Sequence, residues 1–239
     1  MQRGGITVFH EIMQLFNILR EIRHLPKVRI ELGNEAADES LFRSFSRRHP
    51  RFFIIRNKTI GVGLIDCRRF KSAEDYTASV NGKNSAAYFS RKAVRAGYRF
   101  DEIDAMNYSS AIHAIHQSAT TRQGIPMTVA YKHEFKDYPR DHRNQYFGIF
   151  KENILVAYLW IVRSGEVVIM NRIMGHADHL KDGVMYLLVT AFVEQELNAG
   201  RTDQFIMYDT MFGATPGLRM FKERCGFVPT RVNWERRKV

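Results

Sequence analysis

Hydrophobic periodicity is strongest in the last 140 or so positions of the chain, residues 97–239, and predicts alternating strands and helices there. Alternating or continuous apolar residues predict strands at residues 98–103, 146–150, 154–162, 167–173, 204–208 and 227–234. Apolar residues three and four apart predict helices at residues 108–121, 182–198 and 218–224. Gly200 and Gly226 follow the last two helices as stop signals.

The connections between these elements restrict the topology. Short turns at residues 151–153 and 163–165 join three consecutive strands into an antiparallel meander. The strand, helix and strand that follow require a right-handed parallel crossover. The sequence therefore predicts a mixed α/β sheet with the order strand, helix, three antiparallel strands, helix, strand, helix, strand.

The first third of the chain is less regular. Residues 6–22 predict an amphipathic helix, residues 51–55 and 59–67 predict strands on either side of an Asn57-Lys58 turn, and residues 84–96 predict a basic helix that ends at Gly97. We therefore divide the chain into a basic N-terminal region, residues 1–96, and a second domain, residues 97–239.

Positive charge is concentrated in the N-terminal region. The chain has a formal charge of +11, and residues 1–96 hold 18 Lys and Arg against 9 Asp and Glu, whereas residues 97–239 hold 18 against 16. Residues 43–71 contain nine basic side chains and a single acidic one, Asp66. Such a surface attracts phosphate-bearing partners, whether nucleic acid, anionic lipid or a nucleotide-linked substrate, although it is equally typical of a solvated basic face.

Several other classes of protein are not indicated. No uninterrupted apolar run of about 18 residues occurs, so no membrane-spanning helix is expected. The only cysteines are Cys67 and Cys225, which predict neither a disulfide framework nor a zinc site and fit a reducing cytoplasm. The histidine pairs at 113 and 116 and at 176 and 179 lack a third ligand nearby in sequence, so no metal is expected.

The order of elements resembles the GNAT acyltransferase fold, and the end of the chain resembles its FemAB-type aminoacyltransferase branch. The motif is Tyr208-Asp209, glycines at 213 and 217, the segment LRMFKERCGF at residues 218–227, and Pro229 behind it. The basic helix with SRKA at residues 90–93, and Ser118 followed by Arg122-Gln123-Gly124, extend the likeness over residues 80–239. The resemblance implies a GNAT-like fold whose N-terminal extension is either a reduced second half-domain or a docking arm.

One segment departs from the GNAT pattern. Members that use coenzyme A usually carry Arg/Gln-x-x-Gly-x-Gly/Ala where the meander meets the next helix, since bare backbone N–H groups there grip a pyrophosphate. Residues 180–185, LKDGVM, keep only the middle glycine, Gly183. The resemblance therefore leaves two donors open, an acyl-CoA such as acetyl-CoA, or aminoacyl-tRNA, which FemAB-type relatives use.

The resemblance also implies where the site lies, in a cleft between the third meander strand and the strand that ends at Asp209. It gives as catalytic residues Asp209, Tyr208 and Arg122, as donor-binding residues Asn171, Arg172, Gly183 and Lys222, and as substrate-binding residues Ser118, Gln123 and Tyr131. Asp209 follows an apolar run, so we expect burial to raise its pKa toward a value useful for a general base.

Each of these residues also has a structural interpretation. Asp209 can cap the loop at residues 210–217, and Tyr208 can pack in the core. Arg122 can lie at a helix end, where it interacts favourably with the helix dipole, and Lys222 can occupy an exposed position of an amphipathic helix.

Three functions follow from the sequence. The first is an N-acyltransferase that moves an acyl or aminoacyl group from an activated donor to an amine. The second keeps the fold but takes a nucleic-acid base as acceptor, as in phage-type DNA modification. The third is a GNAT-fold binding module without catalysis.

Overall fold

The computed structural model describes residues 22–48, 56–122 and 124–237. Their main α-helices and strands run in the order β1 Lys27–Leu32, α1 Ala36–Ser46, β2 Val62–Asp66, α2 Ala73–Ser79, α3 Ala86–Arg95, β3 Tyr98–Ile103, α4 Ser109–Gln117, β4 Thr121–Arg122, β5 Ile125–Pro126, β6 Asn144–Lys151, β7 Ile154–Ser164, β8 Val167–Gly175, α5 Val184–Asn198, β9 Phe205–Thr210, α6 Pro216–Arg224 and β10 Val228–Arg236. None of the helices among these residues has the length and apolar character needed to cross a membrane.

Eight strands form one mixed sheet in the order β1-β10-β2-β9-β8-β7-β6-β3. Strands β3, β6, β7 and β8 are antiparallel neighbours, and α5 connects β8 to its parallel neighbour β9. The expected α/β fold with a mixed sheet is therefore confirmed, as are the meander and the parallel crossover.

The two faces of the sheet bury separate cores. Successive strand residues point to opposite faces, and on β8 Val168 belongs to one apolar cluster while Val167 and Ile169 belong to another. Helices α2, α3 and α5 cover the first face, and α1 and α4 cover the second. The site described below opens where this layered packing is interrupted between β8 and β9.

Strands from the N-terminal region complete the same sheet. Strand β2 lies between β9 and β10, antiparallel to both, and β1 pairs in parallel with β10. The predicted strand at residues 59–67 is thus found as β2, whereas the predicted strand at 51–55 and nearly all of the predicted helix at 6–22 lie outside the described residues. The basic N-terminal region therefore contributes directly to the sheet that holds the cleft.

Local sequence signals explain the ends of two helices that position the site. Helix α3 begins after Ser85, whose hydroxyl accepts from the backbone N–H of Tyr88 at 3.2 Å. Helix α6 begins after Thr215, with Pro216 in its first turn, where proline loses no hydrogen bond. The helix predicted at residues 84–96 is found as α3, and the one predicted at 218–224 as α6.

Candidate active site

Strands β8 and β9 part after a short stretch of pairing. Their register runs only from Val167 opposite Phe205 to Ile169 opposite Met207. Beyond it, β8 contains a bulge, because Met170 and Arg172 pair with consecutive residues of β7 and leave Asn171 between them. Asn171 is exposed at this point. The cleft expected from the sequence is therefore present beside Asn171 on one side and Tyr208 on the other.

Lys222, on α6, provides a cation at the β9 side of this cleft. Its side chain is 1% exposed, so the alternative of an exposed position on an amphipathic helix is wrong. The ammonium donates to the carbonyl oxygen of Thr210 at 2.9 Å and lies 4.4 Å from the ring centroid of Tyr208. Burial lowers the pKa of Lys222 to about 8, although the negative charge of Asp209 opposes this shift.

Asp209 ends β9 in a backbone conformation that is unusual for a residue other than glycine, with φ of 47°. One of its carboxylate oxygens accepts from the backbone N–H of Thr210 at 2.7 Å and from the ammonium of Lys58. This contact with Thr210 is the loop cap that the structural interpretation gave.

The pKa of Asp209 moves in the direction opposite to our expectation. Desolvation alone would raise it, but Lys58, the Thr210 N–H and Lys222 together hold the pKa below its usual value. The expected rise was therefore wrong. A carboxylate with a depressed pKa stays ionised and is a weaker general base.

Tyr208 packs as the structural interpretation predicted. Its ring is part-buried and meets Phe227 edge-on at 5.8 Å between centroids. Desolvation raises the pKa of Tyr208, so its phenol remains protonated at neutral pH.

Arg172 follows the bulge and lies on the α4 face of the sheet. Its guanidinium lies over three rings, at 5.2 Å from the centroid of Tyr131, 4.8 Å from Phe135 and 5.4 Å from Trp160. All four side chains are part-buried. The structure thus brings together Arg172, predicted to bind the donor, and Tyr131, predicted to bind the substrate.

Arg122 and Ser118 tie the end of α4 to the end of β8. Arg122 donates to the carbonyl oxygens of Ile115 at 2.7 Å and Gly175 at 2.9 Å, and Ser118 accepts from the backbone N–H of Ala177 at 3.0 Å. These bonds occupy the guanidinium within the protein, as the helix-end interpretation of Arg122 implies. Gln123 lies outside the described residues.

Gly183 forms the turn before α5. It has φ of 88°, and a Cβ at this position would lie 2.7 Å from the carbonyl oxygen of Phe89 on α3. On the same turn, the carboxylate of Asp182 accepts from the hydroxyl of Tyr98 at 2.8 Å. Helix α3 is therefore packed closely against the turn that precedes α5.

Comparison with solved structures supports the fold. The chain is similar to FemX, with a TM-score of 0.51 at 9% identity over 71% of this chain. It is also similar to L-PGS from Bacillus licheniformis, with a TM-score of 0.48 at 14% identity over 81% of this chain, and to a tandem GNAT protein from the clavulanic acid biosynthesis pathway, with 0.46 at 11% over 86%. The chain has a GNAT-like fold. The predicted GNAT-like fold is confirmed, and the similarity to FemX agrees with the FemAB-like branch at the level of fold.

These similarities do not identify a substrate for this chain. The chain spans 59% of FemX, 63% of L-PGS and 59% of the tandem GNAT protein. No protein-family model and no curated protein matches the sequence. The similarities show the fold alone.

The sequence did not single out two groups near the cleft. Lys58 was expected in a turn and within the basic stretch at residues 43–71, yet it pairs with Asp209, 151 positions away in the chain. His116 was considered only as a metal ligand, but its Nε2 lies 2.7 Å from the hydroxyl of Tyr158 in the buried layer behind Arg172. Among residues 22–48, 56–122 and 124–237, no three His, Cys, Asp or Glu side chains are grouped so as to hold a metal.

Proposed function

We propose that this chain transfers an aminoacyl group from aminoacyl-tRNA to the amine of an acceptor, in the cleft between β8 and β9. The observation that carries the proposal is the buried ammonium of Lys222 where these strands part, next to Tyr208 and Asp209. A fixed, largely desolvated cation stabilises negative charge that develops on a reacting oxygen. Acyl transfer passes through such an oxyanion.

The proposed reaction needs one proton carrier. The acceptor amine attacks the carbonyl carbon of the aminoacyl ester, and the ester C–O bond then breaks. The leaving ribose oxygen takes a proton from the ammonium of Lys222, which recovers one from the newly acylated nitrogen. A pKa of about 8 suits both transfers near neutral pH. The ionised Asp209 keeps Lys222 charged and holds Lys58 beside it.

The turn before α5 favours tRNA over coenzyme A as donor. Pyrophosphate binding at a helix N-terminus requires backbone N–H groups that face the anion. At Gly183 the backbone N–H already donates to the carbonyl oxygen of Leu180 at 3.3 Å, and the Asp182 carboxylate lies on the same turn. An occupied donor and a nearby carboxylate both disfavour a phosphate at this turn.

A basic edge beside the cleft fits a polyanionic donor. We define it as Arg47, Arg48 and Arg56, which are exposed and have no acidic partner in the described part of the chain. Arg48 and Arg56 form a β-bridge, and the backbone N–H of Asn57, next to Lys58, donates to the carbonyl of Arg47 at 2.8 Å. The edge is therefore continuous with the Lys58–Asp209 pair at the cleft, and phosphates bound there would lie near Lys222.

The donor can be tested directly. Purified protein is mixed with tRNA charged with labelled amino acids and with amine-containing fractions of a cell extract, and label is followed from tRNA into amide products. Acetyl-CoA replaces the charged tRNA in a parallel reaction. We expect transfer from tRNA only. Transfer from acetyl-CoA alone would instead indicate an N-acyltransferase that uses acyl-CoA. Labelling of DNA, added in a further reaction, would indicate an enzyme that modifies a nucleic-acid base. No transfer in any reaction would favour a binding module.

The basic edge is tested by the salt dependence of tRNA binding. Replacement of Arg47, Arg48 and Arg56 by Gln should reduce the slope of log affinity against log salt by about 2, since each phosphate contact contributes about 0.7 to 0.9. A matched variant with Lys83, Arg91 and Arg95 replaced by Gln removes the same charge from the α3 region. An equal or larger change of the salt slope in that variant would contradict the assignment of tRNA binding to the basic edge.

A further inference from the structure

Arg172 lies over three aromatic rings, whereas Arg68, Arg99 and Arg224 each lie over one. Arg99 lies over Phe150 but pairs with Asp101 at 3.0 Å, and Arg68 lies over Phe205 but pairs with Asp66 at 2.8 Å. No carboxylate pairs with Arg172 anywhere in residues 22–48, 56–122 and 124–237. Its guanidinium lies among these rings and donates a hydrogen bond to the hydroxyl of Tyr158, but it lacks a carboxylate counter-charge.

The stacking fixes the guanidinium plane before any ligand arrives. The rings of Tyr131, Phe135 and Trp160 surround it at 4.8 to 5.4 Å, and Trp160 is held in turn by a hydrogen bond from its indole N–H to Asn144 at 2.8 Å. A planar guanidinium with an immobilised orientation recognises carboxylate and phosphate groups through paired N–H donors, and little side-chain freedom is lost on binding.

Buried polar groups without partners lie against the same rings. His116 is 2% exposed, its Nδ1 has no hydrogen-bond partner, and its ring lies 4.9 Å from Tyr131 and 5.4 Å from Phe135. The hydroxyl of Tyr138, a residue 4% exposed, is also without a partner, and its ring lies 6.1 Å from Phe135. Buried polar groups in native proteins normally have partners, so such a cluster indicates a ligand site.

The position on the cleft determines which substrate would use this site. Arg172 belongs to β8, whereas Lys58, Asp209 and Lys222 lie on the β9 side, next to the basic edge. A donor held by the basic edge approaches from β9 and leaves the β8 side open. A second anionic substrate can therefore reach Arg172 without competing for the same cations.

We propose that Arg172, framed by Tyr131, Phe135 and Trp160, binds a carboxylate or phosphate group of the amine acceptor. The acceptor would then be a zwitterionic molecule whose amine reaches the parted strands while its anion is held on β8. This inference rests on the proposed function, because it takes the cleft to hold a donor on the β9 side. It narrows the acceptor to amines that carry an oxyanion.

Binding of small amines tests the inference without any donor. Phosphoethanolamine and glycylglycine are titrated into the full-length protein, with ethanolamine and glycinamide as the matched compounds that lack the anion. Tryptophan fluorescence is followed in a Trp234→Phe background, so that Trp160 alone is observed. We expect saturable binding of at least one probe that carries an anionic group, with a Kd on the order of 1 mM for so small a ligand, and binding of its matched compound without that group at least about tenfold weaker. The probe that binds more tightly shows whether the acceptor carries a phosphate or a carboxylate.

Two variants locate the site. Arg172→Lys keeps the charge but loses the planar donors, and should weaken binding about tenfold. Arg99→Lys, which changes a stacked arginine that has a counter-ion, should leave binding unchanged. Three results would each overturn the inference: equal binding of the probes with and without the anionic group, no saturable binding of either anion-bearing probe, or unaltered affinity in Arg172→Lys with an unchanged Tm. Failed transfer from tRNA alongside Arg172-dependent anion binding would instead overturn the proposed function.

Discussion

The ammonium of Lys222 donates a hydrogen bond to the carbonyl oxygen of Thr210 at 2.9 Å, three residues beyond Met207, the last β9 residue that pairs with β8. This bond holds a cation at the open end of the sheet although α6 itself lies outside the sheet. Burial lowers the pKa of Lys222 to about 8, and the proposed proton transfers depend on this value.

Lys222→Met is the sharpest test of that chemistry. Methionine has nearly the same length but no proton, so we expect kcat to fall by about 10²-fold or more, as for loss of a general acid. In the wild type, kcat should decrease as pH rises through about 8, because the ammonium form is lost there. The pH profile of tRNA-dependent transfer measures both effects. An unchanged Tm in the variant, with full activity retained, contradicts the role.

Asp209→Asn should shift that pH profile. The carboxylate of Asp209 favours the charged form of Lys222, so its removal lowers the pKa of Lys222 further. We expect the alkaline decline of kcat to move to lower pH, with activity still measurable at pH 6. Asparagine tolerates the positive φ of this position, so the backbone should be retained. Complete loss of activity at every pH would favour instead the general base that the sequence suggested.

Much of the fold was predictable because local periodicity determined it. The strand expected at residues 98–103 is found as Tyr98–Ile103, and the helix expected at 182–198 as Val184–Asn198. Strand β1 escaped prediction because its place depends on parallel pairing with β10, as between Lys27 and Arg231.

Helix α1 was missed for a different reason. Its buried positions include Asp38, which no hydrophobic pattern would place inside. Asp38 is buried because it accepts from Ser164 at 2.6 Å and from Arg143, both far away in the chain. The cleft could be expected from topology, but the burial of Lys222 and the Lys58–Asp209 pair depend on contacts that no local spacing encodes.

His116 should make stability sensitive to mild acid. Burial, together with the positive charges of Arg172 and Arg122, lowers the pKa of His116 from 6.5 to about 4. As pH falls below 6.5 the unfolded chain binds a proton that the folded chain does not, so stability is complete above pH 6.5 and declines until about pH 4. The loss attributable to His116 should be about 2 to 3 kcal/mol between pH 7.5 and 4.5.

Urea unfolding of His116→Gln at these two pH values measures that loss. The difference in unfolding free energy between wild type and variant should shrink by the stated amount at pH 4.5. His133→Gln, which changes an exposed histidine on the following loop, serves as the control and should follow the wild type. An equal difference in unfolding free energy between wild type and His116→Gln at both pH values would show that His116 binds its proton equally in the folded and unfolded states.

Glu196 should be the most sensitive charged position for stability. Its carboxylate is fully buried and accepts from Arg163 at 2.7 and 2.8 Å, from Arg201 at 2.8 and 2.9 Å and from Gln204 at 2.7 Å. Desolvation would raise its pKa, but these donors outweigh it and lower the pKa to about 2. Glu196→Gln leaves the part-buried guanidinium of Arg163 without a counter-charge, and we expect a loss of about 3 kcal/mol.

Chemical unfolding at pH 7 measures this loss against a surface control. Glu223→Gln removes an exposed carboxylate that pairs with Arg219 on α6, and its effect should stay within about 1 kcal/mol. Because the folded pKa of Glu196 is depressed, its stabilisation is present above the unfolded value of 4.5 and disappears as pH falls toward 2. Wild type and Glu196→Gln should therefore converge in acid, and a constant difference from pH 7 down to pH 2 would mean that packing, not charge, makes Glu196 important.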